Sequence, residues 1–305
     1  MRRVAFFLRV IGARIARQDT NCPYCGNSET WVIGKKRIVL QLRRCDSCGL
    51  MYRWPKDTTR FNRRFYQRRY CQGMTTDMPD GEQLEKLKTS IFHGTEKDIS
   101  NRIDVLKALM PRGHVLDYGC SWGYGTFQLI AAGYDAVGFE ISDARAEFGR
   151  LRLGVTVISD EGALEQFSGS FDAVFAAHVL EHLPAPSAAF DRLAGLLKPN
   201  GLLLAFVPNC GGEEAGRRGV DWGPMCCEKH PLALDAVFLE RALPRHGFKC
   251  AFFSSPYDSK IIARNLSHPG ATAQYLRGDE LMVVARKIEP PAQRKDPTQR
   301  DQLRA

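Results

Sequence analysis

The chain has 305 residues, 44% hydrophobic and 25% charged, with a net charge of +9. That suffices for one full α/β domain and a smaller module around a real buried core, and with no long apolar run it excludes a membrane-spanning protein. The positive charge is local: the first seventy residues hold seventeen Lys and Arg against four Asp and Glu, so residues 71–305 net about −4.

The opening MRRVAFFLRVIGARIARQD (1–19) is too short for a membrane span, and Arg9 and Arg14 break the apolar run that a secretion signal needs. The expectation is a chain neither secreted nor membrane-spanning. The pattern predicts a basic amphipathic helix over 1–18, open to two readings: a packed or poorly ordered extension, or peripheral contact with an anionic membrane surface.

Residues 20–55 carry Cys22-Pro23-Tyr24-Cys25-Gly26 and Cys45-Asp46-Ser47-Cys48-Gly49, two knuckles nineteen residues apart. Four thiolates at that spacing surround one Zn²⁺ tetrahedrally, and each glycine permits the left-handed turn that aims backbone N–H groups at sulfur. A closed set leaves no position for water, so the expected Zn²⁺ is structural and the module a zinc ribbon; disulfide pairing is the alternative. The ten cysteines include the adjacent Cys226 and Cys227, a distribution that suits the reducing cytoplasm better than a disulfide framework.

Residues 56–99 read as a basic, aromatic, helical linker. Its segment RFNRRFYQRRY (60–70) interleaves Arg60, Arg63, Arg64, Arg68 and Arg69 with Phe61, Phe65, Tyr66 and Tyr70. Such a run can grip phosphates and stack on bases, hold a nucleotide-sugar diphosphate or anionic glycan, or form an amphipathic helix whose aromatics pack inward while the arginines stay in water.

From residue 100 to 288 strand-like and helix-like stretches alternate. The predicted strands are 114–119, 135–142, 155–159, 171–177, 201–209, 248–255 and 280–287; the predicted helices include one over 127–132, one from Asp143, one from about Pro186 to Leu197 and one over 232–246. This rhythm implies an α/β Rossmann-like domain, a mostly parallel seven-stranded sheet with helices on both faces. The tail 289–305 is Pro-rich and charged and is expected to be disordered.

The segment Val115-Leu116-Asp117-Tyr118-Gly119-Cys120-Ser121-Trp122-Gly123-Tyr124-Gly125 puts an acid at the end of a buried strand and three glycines in the turn before a helix. Gly119 allows a sharp bend, Gly123 and Gly125 allow close approach of a ligand and the next helix, and the helix N-terminus offers free N–H groups. Glu140 ends the next strand, where such folds bond the two hydroxyls of a ribose. The spacing G-x-x-x-G-x-G departs from the dinucleotide pattern, which weakens NAD as a ligand.

Acid, glycine turn and second acid resemble the first motifs of class I S-adenosylmethionine-dependent methyltransferases. The resemblance covers about 100–287 and extends to FDAVFAAHVLEHLPAPSAAFDRLAGLLKPNGLLLAFVPN (171–209), similar to that family's fourth strand, helix and Leu-Lys-Pro-Gly-Gly turn, with Asn200 in place of the first glycine. It implies S-adenosyl-L-methionine as cofactor, with its methionine part on Gly119 and the following turn, its ribose on Glu140 and its adenine amino group near Asp160. Asp160 reads equally well as the cap of a helix over EGALEQF. A zinc ribbon ahead of such a domain resembles bacterial enzymes that methylate sugars, cell-surface polysaccharides or secondary metabolites. That implies a small-molecule or glycan acceptor, with an RNA methyltransferase or RNA-binding protein as the rival.

Methyl transfer from a sulfonium needs donor and acceptor held in line and water excluded, and a hydroxyl acceptor also needs a base. His178, just past the fourth strand, is the expected cavity residue; Glu181 and His182 lie on the same segment, which, if helical, sets 178 and 182 on one face. His230 and Asp221 are further candidates for the base. They belong to the glycine-rich loop 210–231, which reads as a substrate lid or as a long connection.

Overall fold

The computed structural model describes residues 2–68, 70, 77–267 and 276–288; Arg69 and the tail 289–305 lie outside the described residues. In chain order the elements are α1 (Arg2–Ile15), β1 (Thr30–Lys36), β2 (Leu40–Cys45), β3 (Met51–Trp54), α2 (Thr59–Arg68), α3 (Gly81–Thr89), α4 (Ser100–Leu109), β4 (His114–Tyr118), α5 (Tyr124–Ala131), β5 (Asp135–Phe139) and α6 (Asp143–Phe148). They continue with β6 (Val157–Ile158), β7 (Phe171–Ala177), α7 (Pro186–Leu196), β8 (Leu197–Pro208), α8 (Glu213–Arg218), β9 (Leu232–Ala233), α9 (Ala236–Ala242), β10 (Phe248–Ser254), α10 (Ser259–Ser267) and β11 (Glu280–Lys287).

Seven strands form the main sheet in the order β10-β11-β8-β7-β4-β5-β6, parallel except for β11, which runs antiparallel to both neighbours. The α/β Rossmann-like fold is as the alternating strands and helices imply. Both faces are buried, so the central strands are largely apolar and their side chains divide by parity. Val174, Ala176, Leu203 and Ala205 join one core with α7 and α9, whereas Ala173, Phe175, Leu202 and Leu204 join the other with α4 and α10. In the turn entering β8, Asn200 takes the left-handed conformation (φ +59°) that the family turn gives to glycine, a role Asn tolerates better than other side chains.

A second, antiparallel sheet has the order β1-β2-β3-β9. Its last strand corrects the helix expected over 232–246: Leu232 and Ala233 pair with Tyr52 and Met51, and α9 starts only after Asp235, whose side chain accepts from the N–H of Phe238 at 2.8 Å. Helical periodicity continues smoothly through Leu232, so only the tertiary partner reveals the strand. The cysteine module is thereby stitched to the large domain. Cys22, Cys45, Cys48, Tyr52 and Trp54 share the core of α7 and α9, and Tyr24 meets the ring of Phe238 edge-on at 5.1 Å.

The segment 210–231 folds back on this second sheet. Trp222 and Met225 pack with Leu42, Met51 and Ala233, and Lys36 donates to the carbonyls of Val220 and Cys226 at 2.6 and 3.0 Å. Of the two readings of this loop, the packing favours a structured connection. Among the described residues no helix is long and apolar enough to cross a membrane.

Candidate active site

In the main sheet the chain leaves β4 toward β5 on one side and returns to β7 on the other. The crevice at the C-terminal ends of these strands is where ligands bind in open α/β sheets. A cavity of about 100 Å³, open at its mouth, lies there, walled by Gly119 after β4, Glu140 and Ile141 after β5, and His178, Val179 and His182 after β7.

Glu140 is buried and turned toward the glycine hinge: its oxygens accept from the backbone N–H of Ser121 at 3.0 Å and of Ser142 at 2.7 Å. Burial raises its carboxyl to about 7, against the pull of those N–H groups and of Arg145. Gly119 sits at φ +83°, and a Cβ there would run into the Val179 side chain. Asp117 lies beneath the turn, accepts from Thr126 Oγ1 at 2.8 Å and is likewise lifted by burial to about 7. It is not on the cavity wall.

Gly123 and Gly125 also stand back from the cavity. Their missing Cβ atoms make room for protein: at Gly123 (φ +87°) for Val155 and at Gly125 for the Asp117 carboxylate, each 2.8 Å from the ideal Cβ position. Asp160 is exposed after β6, and its Oδ1 accepts from Gly162 N–H at 3.0 Å, ahead of a 3-10 turn over Ala163–Phe167 rather than an α-helix.

Leu183, Lys229 and the aromatic face of α2 with Tyr70 just beyond it supply the rest of the wall. Phe65, Tyr66 and Tyr70 line the cavity, while Arg60, Arg63, Arg64 and Arg68 are exposed. The helix is tied down by Asn62 and Gln67, which donate to the carbonyls of His182 (2.5 Å) and Ile141 (2.7 Å). Arg145, fully buried, donates to Ser121 Oγ at 2.6 Å and stacks over the Tyr70 ring at 4.0 Å, linking this wall to the glycine turn. Sequence reasoning singled out these aromatics without placing them at the cavity, and it missed Arg145 and Lys229. A lone arginine on a helix and a lysine in a loop give no periodic signal.

After β7 the segment is a 3-10 turn over Leu180–His182, not an α-helix, and His178 takes φ +55°. His178 and His182 reach the cavity without sharing a helix face. The ring of His178 lies between Glu181 (3.4 Å) and Glu280 (3.0 Å), and Arg102 pairs with the same Glu280 at 2.5 Å. Burial opposes charge on His178, but the two carboxylates outweigh it and lift the imidazole to about 9. His178 is therefore a cation at neutral pH, a donor rather than a base.

His230 stands behind His182, ring centroids 4.7 Å apart, with Nδ1 against the Pro224 carbonyl at 3.1 Å. Burial, followed by His182, lowers it to about 4, so it is neutral at pH 7. Glu181, His182 and His230 bring a carboxylate oxygen and two ring nitrogens within 4.8 Å of one another. Asp221 is exposed in a 3-10 turn against β1 and does not line the cavity.

The four cysteines of the small module also converge, with all Sγ atoms within 4.8 Å of one another and the Cys22–Cys48 and Cys25–Cys45 pairs both at 3.5 Å. A tetrahedral zinc–thiolate set has sulfur edges of about 3.8 Å, so the arrangement fits Zn²⁺ and is too wide for disulfides. Gly26 and Gly49 adopt φ +74° and +82°, and their N–H groups donate to Cys22 and Cys45 carbonyls.

Residues 91–251, just over half the chain, match the model of a methyltransferase domain family. The chain belongs to this methyltransferase family. Ubiquinone biosynthesis O-methyltransferase of Methylococcus capsulatus is 35% identical to the methyltransferase over 195 residues, 61% of this chain and 73% of that protein. The enzyme of the same name from Dechloromonas aromatica is 35% identical over 102 residues, 31% of this chain and 44% of its own length. The methyltransferase thus spans about half the length of several curated relatives it matches. Among solved structures, a SAM-dependent methyltransferase from Archaeoglobus fulgidus is similar at 17% identity and TM-score 0.44, over 68% of this chain and all of that one.

One expectation follows from Glu140. A carboxyl raised in the folded protein contributes most to stability below its unfolded value, and that contribution is lost as pH rises through about 7. Ribose hydroxyls donate to the ionised form. With the ribose of S-adenosyl-L-methionine on Glu140, affinity of the protein for that cofactor should therefore rise from pH of about 6 to about 8, with a proton released on binding in the acidic half. Calorimetry across that range in two buffers of different ionisation enthalpy measures both effects; affinity that is flat or falls with pH would show that Glu140 does not titrate against the cofactor.

Proposed function

We propose that the chain transfers the methyl group of S-adenosyl-L-methionine to an oxygen of a small-molecule or glycan acceptor, with a structural Zn²⁺ on Cys22, Cys25, Cys45 and Cys48. The carrying observation is the buried Glu140 carboxylate on the cavity wall beside the Gly119 turn, the acceptor pair that adenosyl ribose hydroxyls require. The cofactor supplies an electrophilic methyl on a sulfonium. The protein's part is to hold the ribose at Glu140, cover the site with Tyr66 and Tyr70, and keep out water that would spoil the in-line displacement.

On the acceptor side, the His178 cation, its two ring nitrogens held by Glu181 and Glu280, puts positive charge on the cavity wall that attracts an oxygen-rich acceptor. His182, on the cavity wall and backed by Glu181, receives the hydroxyl proton as the oxygen attacks, and the carboxylate stabilises the imidazolium formed. The relatives' names, both O-methyltransferases, support oxygen as the acceptor atom. The resemblance of a ribbon-plus-methyltransferase order to sugar-modifying enzymes supports a polyhydroxylated acceptor.

The test is to incubate the protein with methyl-labelled cofactor and separate pools of nucleotide-sugars, polysaccharide, catechol-type phenols and RNA. Label is expected as an O-methyl ether in a sugar pool. Label confined to phenols would move the acceptor class toward that of the named relatives, and label in RNA alone would overturn the proposal. His182→Gln should lower kcat by about 10²-fold or more with cofactor affinity unchanged, the scale of a lost general base.

A further inference from the structure

The two faces of α1 have opposite fates. Phe6 and Val10 are buried against Leu40 and Cys226, and Arg9 is held by Asp57 and lies over the Phe61 ring at 4.1 Å. The helix is thus fixed on the protein and is not a loose extension. On the opposite stripe Leu8, Ile11 and Ile15, at spacings of three and four, are 65%, 43% and 79% exposed. Fixing residues 6 and 10 inward turns residues 8, 11 and 15 outward by helical geometry alone.

Beside this stripe is the tip of the β1–β2 hairpin. Arg14 of α1 donates to the carbonyls of Ile38 (3.5 Å) and Val39 (3.1 Å), which fixes helix and tip against each other. At the tip Arg37 and Ile38 both adopt left-handed backbone, φ +50° and +62°, and Ile38 is 91% exposed. A turn selected only for tightness takes Asn-Gly there; a β-branched residue at positive φ is strained, and its side chain gains nothing from water. Charge completes the pattern. The first forty residues hold eight Lys and Arg against Asp19 and Glu29, Asp19 is paired with Lys56, and Arg17, Lys35 and Arg37 are exposed.

We propose that the outer stripe of α1 and the Ile38 tip form a docking surface for an anionic lipid bilayer. Leu8, Ile11, Ile15 and Ile38 enter the headgroup boundary, and Arg17, Lys35 and Arg37 meet lipid phosphates. Apolar insertion plus basic flanks is the physical signature of a helix lying in a membrane interface. Since Arg9 packs on Phe61 of α2, whose next turns wall the cavity, the surface lies one helix away from the active site. The inference does not depend on which acceptor is methylated.

The experiment is co-sedimentation of the full chain with vesicles of phosphatidylcholine containing a quarter phosphatidylglycerol, compared with phosphatidylcholine alone. Binding to the anionic vesicles is expected, weakened at least tenfold by 0.5 M salt and at least tenfold by Ile38→Glu or by Ile11→Glu with Ile15→Glu. Unchanged zinc content and melting temperature in the variants separate loss of the surface from loss of fold. Absence of sedimentation with anionic vesicles, equal binding to neutral ones, or equal binding by the folded variants overturns the proposal. So does a wild-type dimer that Ile11→Glu dissociates, which would make the face a contact between two copies.

Discussion

Replacing Glu140 by Ala should weaken binding of S-adenosyl-L-methionine by about a hundredfold or more. Each charge-assisted hydrogen bond is worth about 1.5–3 kcal/mol, two ribose hydroxyls are lost at once, and each 1.4 kcal/mol is tenfold in affinity. The same change removes the acceptor for the N–H groups of Ser121 and Ser142. A drop in stability of about 1–3 kcal/mol for each buried donor left unpaired should accompany it. Glu140→Gln keeps the volume and one acceptor and should fall between the two. Calorimetric titration of variants that still melt cooperatively decides it; wild-type affinity in Glu140→Ala would remove the carboxylate from the site.

With Zn²⁺ on Cys22, Cys25, Cys45 and Cys48 as proposed, its withdrawal should have the largest effect on the fold itself. Structural zinc contributes apparent free energies of about 10–16 kcal/mol in small ribbons, more than any single side chain supplies. Here the loss would not stay local. β3 leads directly out of the second knuckle and pairs with β9, and Arg53 N–H donates to the Pro231 carbonyl. His230 is the residue before that proline, so unfolding of the ribbon should free the acceptor wall and expose 210–231 to proteases. Cys45→Ser, or chelation of the wild type, should lower metal content from one per chain, lower the melting temperature by well over ten degrees and speed cleavage in that segment. Reduced protein that contains no metal, or melts alike with and without chelator, would defeat the zinc assignment.

Much of this molecule is legible in its chain. The strand–helix alternation from residue 114 onward has one solution, because apolar strands buried on both faces must be covered on both sides and crossovers keep one hand. The knuckles are legible because four-sulfur geometry fixes both spacing and following glycine. The place of Gly119 and Glu140 on the cavity wall is legible because both follow parallel strands at the end of the sheet where its crevice opens.

The less legible features all depend on contacts between distant segments. Gly123 and Gly125 look like ligand contacts in the sequence, yet the atoms they admit belong to Val155 and Asp117. The arginines of α2 dominate its sequence, yet its aromatics form the cavity wall. His178 is a plausible base until Glu280, a hundred residues away, is seen across its ring.

Local chemistry, then, was determined by the sequence itself: which segments are strands, where four thiolates can gather, and where a carboxylate meets a glycine turn. Which of those pieces touch was decided only by the tertiary structure, which adds two residues of β9 to the cysteine module, folds α2 over the cavity and sets His178 between two carboxylates. The physical reason is range. Periodicity and turn chemistry act within a few residues, whereas a pKa, a cavity wall or a two-residue strand depends on whichever distant segment packs against it.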